Sequence, residues 1–299
     1  MNEMRYTDAL GLMPGDVVSI VGSGGKTSLL WRLAEENRGR RVLVSTTTKM
    51  WFPPTEAFDW DVSVGRDVYI MPCGCIAPSA NACYGSVGGC RGAQCAPVAD
   101  GLHCIAGGTE NIATCGRTLR PPTGISLLYG AIEQGKILAP DIERLTDLSA
   151  KAELTLLECD GSSGLPLKGW ASHEPVVPCF TTVTIGILPL WAIGRQVCES
   201  VVHRMPEFCR IAGAEPGETV TAMHLARVIG HSEGLFAQER GRRVLFLNDR
   251  GSVDNRGSAA GGMTPPLRGA EAIVSHLDTP MEVLAGDLHR GTVEGLVCM

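Results

Sequence analysis

The chain has 299 residues, of which 44% are hydrophobic, so it can form one large or two modest domains with a sizeable core. Its net charge of −6 argues against a nucleic-acid-binding surface as the main function. Residues 1–15 include acidic side chains and no long apolar run, which predicts no secretion signal. No apolar stretch approaches the about 18 residues of a membrane span, so we expect a cytoplasmic protein without a membrane partner.

The N-terminal region has the pattern of a β-α-β unit. Residues 17–21 (VVSIV) are β-branched and apolar apart from one serine, which predicts a buried strand. Apolar residues at helical spacing predict a helix from Thr27 to about Asn37, and residues 42–45 predict a second strand. Such units build parallel sheets. The TTTKMWFPP stretch is then expected to leave the sheet, with Pro53 and Pro54 as its stop.

Residues 71–116 differ in character from the rest of the chain, because they are rich in glycine, alanine and cysteine. The cysteines give one C-x-C and no C-x-x-C pair, whereas zinc sites usually show pairs two to four residues apart. We predict an irregular insertion and leave three interpretations open: a variable loop, a metal- or selenium-handling segment, and a frame-shifted coding stretch. The cysteines concerned are Cys73, Cys75, Cys83, Cys90, Cys95, Cys104 and Cys115.

The remainder of the chain again alternates between strand and helix patterns. The fold predicted for residues 1–299 is therefore a single α/β domain with a doubly wound, mostly parallel, P-loop NTPase-like sheet. The expected elements are a loop and short helix at 120–135, a helix at 141–152, strands at 154–162 and 181–190, a helix at 217–230 capped by Thr219 or Thr221, a strand at 242–249, a flexible segment at 250–269, a helix at 269–277 and a last short strand at 281–286.

The stretch VGSGGKTS, between the first strand and the first long helix, predicts a phosphate-binding loop. Glycines let backbone N–H groups converge, and the helix N-terminus behind them favours anions. Lys26 supplies a cation for the outer phosphates and Thr27 a hydroxyl for Mg²⁺. The loop is two residues shorter than G-x-x-x-x-G-K-[ST], and a plain turn with a solvated lysine is the alternative. The residues expected to bind nucleotide here are Gly22, Ser23, Gly24, Gly25, Lys26, Thr27 and Ser28.

Two acids, Glu158 and Asp160, follow the buried LTLL strand. Together with Thr27 they are expected to hold Mg²⁺, directly or through water; the alternative is capping of a strand-to-helix turn. At the end of the second strand, Thr47 and Lys49 are expected to face the phosphates or a second substrate. Strand propensity alone would account for the threonine but not for the lysine.

Residues 161–175 form a polar, proline-stiffened loop that suggests substrate contact. The candidate substrate residues are Lys168, His173, Glu174 and, further on, His203. Arg204 is a candidate for stabilising charge on a transferring phosphoryl group, and we expect it to act in catalysis with Lys26, Asp160 and Glu158. Surface charges and a satisfied histidine are the competing interpretation of these loop residues.

The motifs VGSGGKTS, VSTTTKM, LLECDGSSGLPLKGWASHEP, VHR and LFLN, taken in order, resemble those of the YqeC family. Its members are described as selenium cofactor biosynthesis proteins, or accessory proteins of selenium-dependent molybdenum hydroxylases. The resemblance covers about residues 10–55 and 102–250. It implies a P-loop nucleotide-binding fold and a maturation role in which a molybdenum hydroxylase, or its cofactor, is the partner.

The sequence departs from that family in two places. Cys159 stands between the two acids where the family has alanine, although the acids remain. After Asn248, which we expect to contact the nucleotide, Gly251 stands where the family has the acid of a guanine-recognition signature, so ATP is favoured over GTP. Three hypotheses follow: Mg²⁺-dependent hydrolysis or phosphoryl or nucleotidyl transfer, a nucleotide-gated cofactor carrier or insertion chaperone, and an interaction scaffold that binds no nucleotide.

Overall fold

A computed structural model of the protein describes residues 5–63, 69–70, 76–77, 123–249 and 265–297. The helices in these ranges are α1 (Tyr6–Ala9), α2 (Lys26–Glu36), α3 (Ile142–Ser149), α4 (Met205–Ala212), α5 (Ala222–Gly230) and α6 (Pro265–Val274). The strands are β1 (Asp16–Gly22), β2 (Arg41–Thr46), β3 (Lys49–Trp51), β4 (Trp60–Asp61), β5 (Tyr69–Ile70), β6 (Ile76–Ala77), β7 (Gly124–Leu127), β8 (Ile132–Glu133), β9 (Lys136–Leu138), β10 (Leu154–Glu158), β11 (Leu167–Lys168), β12 (Val183–Pro189), β13 (Val202–His203), β14 (Arg242–Asn248), β15 (Glu282–Asp287) and β16 (Thr292–Val297).

The main sheet has 11 strands in the order β16-β15-β14-β12-β1-β10-β2-β7-β4-β5-β6. All pairings from β15 through to β4 are parallel, and the strands at both edges are antiparallel. The chain moves from β1 towards β2 on one side and later returns to build β12 and β14 on the other. The carboxyl end of β1 therefore lies at a topological switch point, where open α/β sheets bind their ligands.

Both faces of the sheet are buried, which explains the continuous apolar runs in its strands. Along β1, Val18 and Ile20 belong to one core cluster, which also includes residues of α1 and α2. Val17 and Val21 belong to the other cluster, with residues of α3, α4, α5 and α6. Because successive strand residues point to opposite faces, the helices cover both faces of the sheet. The predicted α/β class with a mostly parallel sheet is thus confirmed.

Several predicted elements are present close to their expected bounds, including α2, β2, α3, β10, β12 and β14. Thr221 is the N-cap of α5, and its Oγ1 accepts a hydrogen bond from the amide of His224 at 3.3 Å, while His224 Nδ1 accepts from the Thr221 amide. This reciprocal capping confirms one of the two caps offered by the sequence.

Three predictions were wrong. The short helix expected within 120–135 is replaced by β7 and β8, because Ile125 and Leu127 are buried in the sheet beside β2. The last strand is β16 and not the strand before it, since the chain turns back to pair antiparallel with β15. Residues 265–269 of the segment predicted to be flexible begin α6. The rest of that segment, and all of the cysteine-rich insertion except β6, lie outside the described residues.

Candidate functional site

The glycine-rich loop joins β1 to α2, as predicted, and the strand order places it at the switch point of the sheet. Gly22 has a φ of +103° and Gly25 a φ of +149°, which side-chain-bearing residues rarely adopt. A Cβ atom on Gly22 would lie 2.2 Å from the carbonyl oxygen of Ile187 in β12. Glycine is therefore required at Gly22 both for the turn and for the close approach to the neighbouring strand.

The N-terminus of α2 opens onto a cavity of about 580 Å³. Gly25 is the N-cap of α2, all of whose residues the structure describes, and no side chain caps the helix. The first turn of α2 carries no acidic side chain. The first intrahelical bond runs from the amide of Leu29 to the carbonyl of Gly25, at 2.9 Å. The amides before Leu29 have no intrahelical acceptor, and residues 24–28 line the cavity, which gives it an anion-binding wall.

Lys26 is 5% exposed and lines the same cavity. Its Nζ donates a hydrogen bond to the carbonyl of Gly22 at 2.6 Å and lies 3.3 Å from Oδ1 of Asp160. The lysine is thus folded back on its own loop, with its ammonium group next to the helix N-terminus. This placement suits a cation for the outer phosphates of a ligand.

Thr27 and Glu158 form an oxygen-rich pair at the floor of the cavity. Thr27 Oγ1 donates a 2.7 Å hydrogen bond to Oε2 of Glu158, and both residues line the cavity. The pKa of Glu158 is raised above its ordinary value, mainly by burial and in smaller part by the nearby charge of Asp160. The charge of Lys26 and the hydrogen bond from Thr27 oppose this rise. A hydroxyl and a carboxylate are hard oxygen donors of the kind that Mg²⁺ prefers.

Asp160 is fully buried and is surrounded by donors from the protein itself. The amide of Gly22 donates to its two oxygens at 3.1 and 3.0 Å, and Trp170 Nε1 donates to Oδ2 at 3.0 Å. Both Lys26 and Lys168 lie 3.3 Å from the carboxylate. Burial raises the pKa of Asp160, but the charges of Lys26 and Lys168 and the Gly22 and Trp170 hydrogen bonds outweigh it, so the net shift is downwards. The carboxylate therefore remains ionised and holds the glycine loop in place.

A chain of ion pairs continues from Asp160 into the loop of residues 161–175. Lys168, fully buried, also donates to Oε2 of Glu174 at 3.1 Å and to the carbonyl of Gly161 at 2.8 Å. Arg204 pairs with the same Glu174 oxygen and lines the cavity. The structure thus couples a cationic side chain at the cavity wall, through three buried charges, to the glycine loop.

The other predicted residues are placed as follows. Asn248, at the end of β14, donates to the Gly24 carbonyl at 2.7 Å and does not line the cavity. Thr47 donates to the Val176 carbonyl at 2.7 Å, away from the cavity. Ser23 is buried and does not line the cavity, whereas Ser28, Lys49 and His203 do line it. His173 is exposed and lies outside the cavity.

Sequence reasoning missed three residues of this region. Trp170 bonds the Asp160 carboxylate, and Trp51 and Lys136 line the cavity from a separate three-stranded sheet of β3, β9 and β8. Trp170 follows the two acids closely in the sequence, within the stretch GWASHEP. The sequence does not show, however, which oxygen its indole N–H contacts in the folded chain. Trp51 and Lys136 are 85 positions apart and meet only through the register of β3 with β9.

Within the described ranges, no group of three or more His, Cys, Asp or Glu side chains converges on a common point. A cation at Thr27 and Glu158 would therefore take part of its coordination from ligand phosphates and water. Among the described helices, none combines the length and the apolar character that crossing a membrane requires.

The fold and this site define an α/β protein with a glycine-rich, lysine- and threonine-bearing loop at the switch point of a mostly parallel sheet. A family model described as "YqeC protein" matches residues 18–206, so the chain belongs to the YqeC protein family, which confirms the resemblance seen in the sequence. The chain is 29% identical over 245 residues to the protein named "Uncharacterized protein YqeC" of Escherichia coli (strain K12), covering 80% of this chain and 78% of that protein. No solved structure matches the chain.

Proposed function

We propose that this protein binds a Mg²⁺–nucleotide, ATP in preference to GTP, with its phosphates on the loop of residues 22–28. The proposal is carried by one observation, the uncapped N-terminus of α2 facing a cavity that Lys26, Thr27 and Glu158 also line. A plain strand-to-helix turn would not require a buried lysine beside two buried carboxylates. The arrangement brings together a helix dipole, a cation and hard oxygen donors.

The structure supports different roles for the two acids that the sequence treated as a pair. Glu158 faces the cavity with Thr27, so these two would hold Mg²⁺, which neutralises phosphate charge when bound. Asp160 is saturated by Gly22, Lys26, Lys168 and Trp170 and would position the loop instead. Of the two acids expected to hold Mg²⁺, this proposal keeps Glu158 as a metal ligand and assigns Asp160 a positioning role.

The chemistry available to these residues is positioning and charge stabilisation, which account for most of phosphoryl-transfer catalysis. Lys26 would move its ammonium group from the Gly22 carbonyl to the phosphates. Arg204 lies at the cavity wall with Glu174 as its partner, and it can stabilise charge that develops on a transferred group. His203 is neutral near pH 7, because burial and the charges of Arg204 and Lys168 lower its pKa, so it can accept a proton there.

The test of nucleotide binding is a titration with a fluorescent, non-hydrolysable ATP analogue in the presence of Mg²⁺. Lys26→Ala should weaken binding at least about tenfold, since the variant loses a charge-assisted contact to phosphate. Lys151→Ala is the matched control, because Lys151 pairs with Asp147 on α3 and does not line the cavity. Equal affinity of wild type and Lys26→Ala, or no binding by folded wild type, would contradict the proposal.

We further propose that the nucleotide serves the maturation of a selenium-dependent molybdenum hydroxylase or its cofactor, by hydrolysis or by phosphoryl or nucleotidyl transfer. This part is supported by the family to which the chain belongs and by the cationic side chain of Arg204 in the cavity wall. The measurement is nucleotide turnover with and without an apo-hydroxylase. Turnover that depends on Arg204 supports an enzyme. Binding without turnover, but with nucleotide-dependent affinity for the hydroxylase, identifies a carrier or insertion chaperone.

A further inference from the structure

An exposed tryptophan lies in the wall of the cavity that also contains the phosphate loop. Trp51 is 66% exposed and belongs to β3, in the three-stranded sheet that follows β2. An indole ring is large and mostly apolar, so leaving most of it in water forgoes the free energy of burial. Nothing in the phosphate-binding role uses this ring, and its place in the cavity wall calls for a ligand.

The ammonium group of Lys136 lies against the indole ring of Trp51. Lys136 pairs with Trp51 in the antiparallel register of β3 and β9, and its Nζ lies 4.7 Å from the centroid of the indole. Gly135 packs beside the same ring, because a Cβ there would lie 3.6 Å from it. The ring is thus held by the hairpin of β8 and β9, and an aromatic plane with an adjacent ammonium group is presented to the cavity.

The charges that line the cavity favour an anion. Its cationic side chains are Lys26, Lys49, Lys136 and Arg204, and its acidic ones are Glu158 and Glu174. Both acids already accept hydrogen bonds from the protein, Glu158 from Thr27 and Glu174 from Lys168. Lys49 is paired with Glu133 only through an exposed ion pair, which contributes little and gives way to a ligand at small cost.

We propose that Trp51 and Lys136 form a subsite for a second ligand, a planar heteroaromatic ring that carries an anionic group. The ring would stack on the indole, and Lys136 with Lys49 would bind the anion. The cavity of about 580 Å³ falls within the range of about 300–1,000 Å³ typical of small-ligand sites, and it is lined both by the phosphate loop and by residues of β3 and β9. This inference rests on the proposed function, since it gives the chemical class of the molecule that the nucleotide site would act upon.

Trp51 lies on the β2 side of β1, away from the side on which Asn248 contacts the phosphate loop. Trp51 follows β2, which lies on one side of β1, whereas Asn248, which contacts the loop at Gly24, ends β14 on the other side. The stacking plane and this loop contact therefore lie on opposite sides of the strand that carries the phosphate loop. The nucleotide base remains the competing occupant that the experiment distinguishes.

The probe is flavin mononucleotide, a planar heteroaromatic ring with one phosphate, titrated against the full chain by fluorescence. Riboflavin supplies the same ring without the charge, and ribitol 5-phosphate the charge without the ring. We expect flavin mononucleotide to bind more tightly than either. Trp51→Ala should weaken its binding about tenfold, the loss of one aromatic stacking contact, and Trp51→Phe should weaken it less. Lys136→Met should weaken the binding of flavin mononucleotide but not that of riboflavin, and Lys151→Met is the control variant.

The outcomes separate this inference from the phosphate site. Lys26→Ala should weaken flavin mononucleotide binding much less than it weakens binding of the ATP analogue, so a chain that fails to bind nucleotide can still show the ring subsite. Equal binding of flavin mononucleotide and ribitol 5-phosphate, or no effect of Trp51→Ala, would overturn the inference. It would also be overturned if Trp51→Ala weakened the ATP analogue and flavin mononucleotide competed with that analogue, because the ring subsite would then belong to the nucleotide base.

Discussion

Replacing Asp160 by Asn removes the one buried carboxylate that both Lys26 and Lys168 contact, each at 3.3 Å. Breaking a buried ion pair from one side costs about 3–5 kcal/mol, because a charge is left without compensation. Lys26 keeps the Gly22 carbonyl and Lys168 keeps Glu174, so we expect a loss near the lower limit, about 3 kcal/mol. A loss of that size lowers the melting temperature by roughly 6–12 °C.

The assay is urea unfolding followed by tryptophan fluorescence, with Asp147→Asn as the control. Asp147 pairs with Lys151 at 2.7 Å but is 61% exposed, so its substitution should cost under about 1 kcal/mol. The pKa of Asp160 is lowered in the folded state, so its contribution is present above the unfolded pKa of about 3.9 and is lost as the pH falls through the folded value. If Asp160→Asn proved no more destabilising than Asp147→Asn at pH 7, the anchoring role of Asp160 would be refuted.

Three further predictions concern other parts of the site. Gly22→Ala should lower stability far more than Gly15→Ala, because both glycines have a positive φ but only the Gly22 Cβ meets a strand carbonyl, at 2.2 Å; equal unfolding midpoints would contradict the close approach. Cys159, buried with its pKa raised to about 12, should resist iodoacetamide in the native protein while exposed Cys179 reacts; peptide mapping that finds Cys159 alkylated equally fast would count against its burial. The pKa of His203 is lowered, mainly by burial and also by neighbouring positive charges, so the unfolded chain binds a proton more readily than the folded one. Stability should therefore fall as the pH drops below about 6.5, and His203→Gln should reduce that fall in a pH series of thermal melts.

The local part of the site was readable from the sequence. A buried strand, a glycine cluster, Lys26 and Thr27, and then helical spacing define a strand-loop-helix unit whose geometry depends on neighbouring residues in the chain. The acids at the end of LTLL were found for the same reason, because β10 ends at Glu158 and pairs with β1 in the sheet. The sequence therefore predicted individual strands and helices and the functional residues next to their ends.

The separate tasks of the two acids could not be read from the sequence. Glu158 faces the cavity and Asp160 faces the core because of how the chain bends after β10, and the donors to Asp160 come from β1, α2 and the segment of residues 161–175. Trp51 gave no signal for the same reason, since its partner Lys136 lies 85 positions away on β9, a strand that no sequence pattern predicted. Long-range register decided both cases.

The central claim is that nucleotide phosphates bind at the N-terminus of α2. Amide chemical shifts of isotopically labelled protein, recorded with and without a Mg²⁺-bound non-hydrolysable ATP analogue, test it residue by residue. We predict that the largest shifts occur at the amides of residues 24–28, and that Lys26→Ala reduces them. Unchanged amides at these positions, or shifts confined to other parts of the chain, would contradict the account.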